Sequence, residues 1–88
     1  MRQEPEFFKE QELELVYIAK KLADALAVEE LLTANDVDYV VQASEYYAGV
    51  IFQSLRAGAF FYVDGERVEY AKQLLEQNGH RPYQEPKE

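Results

Sequence analysis

Ala59-Phe60-Phe61-Tyr62-Val63, followed at once by Asp64-Gly65, decides how this chain folds. It is the most apolar run in the sequence. A short run of that kind bounded by a turn signal reads as a strand at the centre of a sheet, where little of it meets water. Asp64-Gly65 breaks the strand, and the Asp64 carboxylate can accept from the free amides of a helix that follows. Val68, Ala71, Leu74 and Leu75 then recur at helical spacing and form one buried stripe. Asn78-Gly79 stops that helix, with Gly79 suited to the left-handed conformation of a helix end.

Working outward toward the amino terminus, Leu13-Glu14-Leu15-Val16-Tyr17-Ile18-Ala19 is rich in β-branched and aromatic residues and reads as a strand. Asp24 is a candidate N-cap for a helix whose stripe is Ala25, Val28, Leu31 and Leu32, and Asn35-Asp36 ends it. Val37 to Ala43 is a second strand. Ser44 to Gly49 reads as a loop, residues 50–55 as a further extended piece, and Arg56-Ala57-Gly58 as a turn. His80-Arg81-Pro82-Tyr83 adds a short edge strand, where proline is tolerated.

The order is β-α-β-β-α(-β), which predicts an α+β, ferredoxin-like sandwich. The strand before the second helix should lie between the first two. Both helices should cover one face of an antiparallel sheet and leave the other face open. Residues 13–83 make one domain. Residues 1–12 form an N-terminal arm with one helical turn after Pro5, and residues 84–88 a loose tail.

Those elements resemble a known family. Leu15-Val16-Tyr17, Asp24-Ala25, Leu31-Leu32, Val37, Phe61-Tyr62-Val63 and Ala71-Leu74-Leu75 resemble the packing motifs of a small bacterial signal-transducing protein family of unknown function. The resemblance runs from Leu13 to Gly79. It implies a PII-like, ferredoxin-like fold and, by analogy, a regulatory role. Asp36-Val37 stands where that family usually has Gly-Ile, and residues 44–58 follow no pattern of it. The resemblance brings no functional residues with it.

Composition limits the rest. The chain has 88 residues, 48% of them hydrophobic, which is enough for one core. It carries 17 acidic against 9 basic side chains, a net charge of −8. That sign disfavours phosphate backbones and anionic membrane surfaces. No cysteine is present, so disulfides, thiolate metal sites and thiol catalysis are excluded. With no apolar segment in Met1 to Glu6, the expected compartment is the cytoplasm.

No cofactor or metal is predicted. His80 is the only histidine, and a triad or histidine zinc site needs partners it does not have; it reads as a cap or a solvated side chain. Lys20 and Lys21 precede the first helix and could meet an anion, but no glycine-rich loop accompanies them, so a solvated pair is the simpler reading. Glu29, Glu30, Glu66 and Glu69 read as solvated helix surface. An enzyme built from tyrosines and carboxylates would need a pocket where they converge.

Two features point to binding. Glu45, Tyr46, Tyr47 and Gly49 form a candidate interaction loop, since rigid aromatics give contact area at low entropy cost. Strand parity, taken from polar Glu14, places Val16, Ile18, Val40, Phe60 and Tyr62 on the open face of the sheet. Such an apolar face predicts a homo-oligomer, unless Phe7 and Phe8 of the arm cover it. The expected function is therefore a non-enzymatic regulatory or protein-interaction module. The alternative is a module like the RNA-recognition motif, because Arg56 to Val63 and Val16-Tyr17-Ile18 loosely match its two aromatic signatures. Lys20-Lys21 and the acidic balance depart from that pattern.

Overall fold

The computed structural model describes residues 1–7, 12–48 and 54–84. β1 (Leu13–Ala19), α1 (Leu22–Ala34), β2 (Val40–Ala48), β3 (Ser54–Asp64) and α2 (Val68–Gln77) follow in that order. Single 3-10 turns lie at Pro5–Phe7 and Gly65–Arg67. The strands form one antiparallel sheet in the order β1-β3-β2. The apolar run from Ala59 to Val63 is thus in the central strand, and the chain is α+β. β1 and β2 both run antiparallel to β3, so they are parallel to each other and α1 connects them.

The core sits between the sheet and the two helices. Phe61 and Val63 of β3 pack with Val28 and Leu32 of α1 and with Ala71 and Leu75 of α2. Phe61 has no exposed surface, and the rings of Tyr17 and Tyr39 flank it at 6.1 and 5.8 Å. Leu32 and Leu74 are both buried, as their stripe positions predict.

The helix ends follow local chemistry. Asn35 Nδ2 donates to Leu31 O at 2.9 Å, and Asn78 Nδ2 donates to Leu74 O at 2.8 Å. Each asparagine is followed by a residue with positive φ, Asp36 at 57° and Gly79 at 80°. Asp64 Oδ1 accepts from the Glu66 amide at 3.1 Å and caps the 3-10 turn that leads into α2. Asp24 does not cap α1. The helix already begins at Leu22, with Lys21 extended before it, because Leu22-Ala23 are strong helix formers. Asp24 falls in the first turn, where its charge still suits the helix dipole.

Two turn assignments are corrected. Ser44 to Ala48 is not a loop and Arg56-Ala57-Gly58 is not a turn. β2 and β3 stay paired through Ser44↔Gly58, Glu45↔Ala57, Tyr46↔Arg56, Tyr47↔Leu55 and Ala48↔Ser54. Adjacent tyrosines favour extended backbone, and the ladder tolerates Gly58 in its interior. Gly49 and residues 50–53 lie outside the described residues.

Residues 1–3 and Tyr83 approach opposite edges of the sheet. Arg2 bridges Tyr39 in parallel orientation, with Gln3 N–H donating to Tyr39 O at 2.7 Å and Tyr39 N–H to Met1 O at 3.1 Å. At the opposite edge, Tyr83 N–H donates to Val16 O at 2.7 Å. Residues 80–84 do not form the expected strand. Pro82 is buried there and has no amide to extend a ladder.

Candidate interaction surfaces

The outer face of the sheet differs from its expected composition at one residue. Leu15 pairs with Tyr62 and Tyr17 with Phe61, so Val16 is the extra residue of a bulge. Residues paired across an antiparallel ladder point to the same face. Leu15 therefore lies outward with Tyr62, and Ile18 outward with Phe60. Val16 turns into the core and has no exposed surface, so it leaves the candidate face and Leu15 replaces it. Glu14 misled the parity because it pairs with Val63, on the helix side, yet stays exposed at the strand end. Val40 pairs with Tyr62 and lies outward, but only 6% of it is exposed. Leu15, Ile18, Phe60 and Tyr62 are partly buried. These apolar side chains share the face with exposed Gln42, which pairs with Phe60, and they are partly shielded within a single chain.

The second candidate is now a ribbon. The last β1 pair is Ala19↔Ala59, whereas β2 and β3 continue through five more pairs, from Ser44↔Gly58 to Ala48↔Ser54. At about 3.3 Å per residue the ribbon extends roughly 16 Å past the end of β1. Glu45, Tyr46 and Tyr47 all lie on it, in strand rather than loop.

Other singled-out groups have structural partners. His80 meets the edge of Tyr17, ring to ring at 5.8 Å, and its amide donates to Leu75 O at 2.8 Å. Glu29 accepts from Tyr39 Oη at 3.2 Å and pairs with Arg2 at 3.8 Å. It therefore ties the first residues of the chain to α1 and does not serve as a solvated acid. Burial above all, with the Glu29 carboxylate adding, holds the Tyr39 phenol above its ordinary pKa. Burial likewise raises Tyr17, with a smaller push from Asp24. No local sequence signal links Arg2, Glu29 and Tyr39, because only the fold brings them together.

Glu30, Glu66 and Glu69 are exposed, as are Lys20 and Lys21. An open cleft between β1, the start of α2 and the C-terminal segment is lined by Leu13, Glu14, Val68, Glu69, Lys72 and Tyr83. Its carboxylates and lysine are of mixed sign. Among the described residues no cluster of three His, Asp or Glu side chains could hold a metal ion, and no helix is long and apolar enough to cross a membrane. No protein-family model, curated protein or solved structure matches this chain.

Proposed function

We propose that this domain is a non-enzymatic regulatory module that acts by binding another protein, with the β2–β3 ribbon as its contact. The observation that carries this reading is the extension of the ribbon past β1. A two-stranded ribbon is only marginally stable by itself, and its outer edges, which carry no ladder pair among the described residues, suit strand addition by a partner. Tyr46 and Tyr47 supply the residue types that recognition surfaces favour. The reading accords with the resemblance to the small bacterial signal-transducing family. We also read the β1-β3-β2 order, with Tyr83 beside β1, as a ferredoxin-like sandwich whose fourth strand is reduced to one hydrogen bond.

Photo-crosslinking residues placed at 46 and 47 test the proposal in the protein's own cells. A defined protein adduct from these positions, competed by the unlabelled domain and absent when the probe replaces Tyr70, is the expected result. No adduct at either position would refute it, as would a turnover that disappears on changing one polar ribbon residue. One observation favours a second reading: Phe60 and Tyr62 lie on the same outward side of the central strand, as in RNA-recognition motifs. The net charge of −8 weighs against it. Phosphate contacts are strongest at low salt, so a failure to bind single-stranded RNA there ends it.

A further inference from the structure

Among the described residues, two of the large apolar side chains that stand well exposed lie one turn apart on α1: Leu22, at 75%, and Leu26, at 55%. The stripe of α1 that faces the sheet is Ala25, Val28 and Leu32, so these leucines lie outside it. Ala23, Ala27 and Ala34 are exposed too. The only polar residues of the helix are Asp24, Glu29, Glu30 and Thr33. Large apolar side chains on a helix are usually covered, yet among the described residues nothing covers Leu22 or Leu26.

The charges around the patch say what does. Lys20 and Lys21 stand exposed just before the amino end of α1, and Glu30 and Asp36 stand exposed toward its carboxyl end. The amino end carries two lysines beside the single Asp24, and the carboxyl end carries acidic charge alone. Turned end over end, the same surface is complementary to itself, which is the requirement of a two-fold interface. Helix dipoles reinforce that antiparallel arrangement. The small residues Ala23 and Ala27 let the two helices approach closely. We propose that α1 packs antiparallel against α1 of a second copy. Leu26 meets its own symmetry mate near the two-fold axis, and Lys20 and Lys21 face Glu30 across the interface.

A helix of 13 residues is about 20 Å long. One such pair buries less than the ~1,200 Å² of a standard interface, so the dimer is weak and concentration-dependent. This inference uses side chains of α1 and none of the ribbon, and it stands or falls independently of the proposed function.

Sedimentation velocity from about 5 to 500 μM tests it. The wild-type protein should shift from monomer to dimer across that range, and Leu26→Glu should remain monomeric with unchanged circular dichroism. Glu30→Lys should weaken the dimer at least several-fold. Adding Lys20→Glu and Lys21→Glu to it should restore association, because the swapped charges again face each other. The chain has no cysteine, so Leu26→Cys gives a second, independent readout: mild oxidation should yield a covalent dimer, and Tyr70→Cys should not. A wild-type monomer throughout the range would overturn the proposal. So would a dimer that survives Leu26→Glu and dissociates with Phe60→Glu, which would move the contact to the outer sheet face.

Discussion

α1 and α2 pack on the same face of one sheet and against each other, but their outer sides are unlike. Toward the sheet each buries a stripe of the same kind, Ala25, Val28 and Leu32 in one, Val68, Ala71, Leu74 and Leu75 in the other. Toward solvent α2 presents Glu69, Gln73, Glu76 and Gln77, and its one large exposed ring, Tyr70, lies under the Arg67 guanidinium at 5.1 Å. α1 presents Leu22, Leu26 and three alanines, with Glu30 and Thr33 among them. Packing on the sheet dictates the inner stripe and is indifferent to the outer side. An apolar outer side is therefore information about something other than the fold.

The largest expected effects fall where the helices are alike. Leu32→Ala and Leu75→Ala each remove a buried side chain, and each should cost about 2–5 kcal/mol in urea unfolding. A cost under ~1 kcal/mol for either would break the claim that the inner stripes are equivalent. The helix ends sharpen the comparison next, because the same left-handed position is Asp36 after α1 and Gly79 after α2. A Cβ at Gly79 would meet no atom within 4 Å, so Gly79→Ala tests backbone strain alone and should cost about 1 kcal/mol. Asp36→Gly should be neutral or stabilising, and a large loss there would show that the aspartate has a further role.

A third difference lies at Tyr39, whose hydroxyl is bonded to α1 and not to α2. Its phenol is held above the ordinary value, so the fold favours the neutral form. That contribution is complete below pH about 10, the unperturbed value, and is lost as pH rises through the folded value. Stability should therefore fall on the alkaline side, and Tyr39→Phe should flatten that fall. An unchanged alkaline profile in the variant would assign the effect to other tyrosines. The smallest effects on stability are on the outer sides. At low concentration, Leu26→Glu and Tyr70→Glu should each change unfolding free energy by less than about 0.5 kcal/mol, which separates any effect on association from an effect on folding.

Much of the architecture was legible because it depends on local pattern. The apolar run from Ala59 to Val63 fixed the central strand, and period 3.6 identified both inner stripes. The Asn35-Asp36 and Asn78-Gly79 pairs marked both helix ends. What the pattern could not carry was pairing. Ser44 and Gly58 look like loop and turn residues until the ladder places them opposite one another. Val16 looks like an outward residue until a bulge, invisible in a single strand, turns it inward. The candidate loop residues Glu45, Tyr46 and Tyr47 were identified by type but assigned the wrong backbone, because nothing local says that β2 outlasts β1. The exposed leucines of α1 were missed for another reason: residues inside a helix of good formers give no sign of which side is covered until the sheet is in place.

The most direct test of the contrast between the two helices is a dilution series of the wild-type protein followed by methyl NMR. If α1 is the self-association surface, the Leu22 and Leu26 methyl signals should move with concentration, and the methyls of Ile18, on the outer sheet face, and of Leu74, in the inner stripe of α2, should stay fixed. Concentration-independent Leu22 and Leu26 signals, or shifts centred on Ile18, would contradict the account.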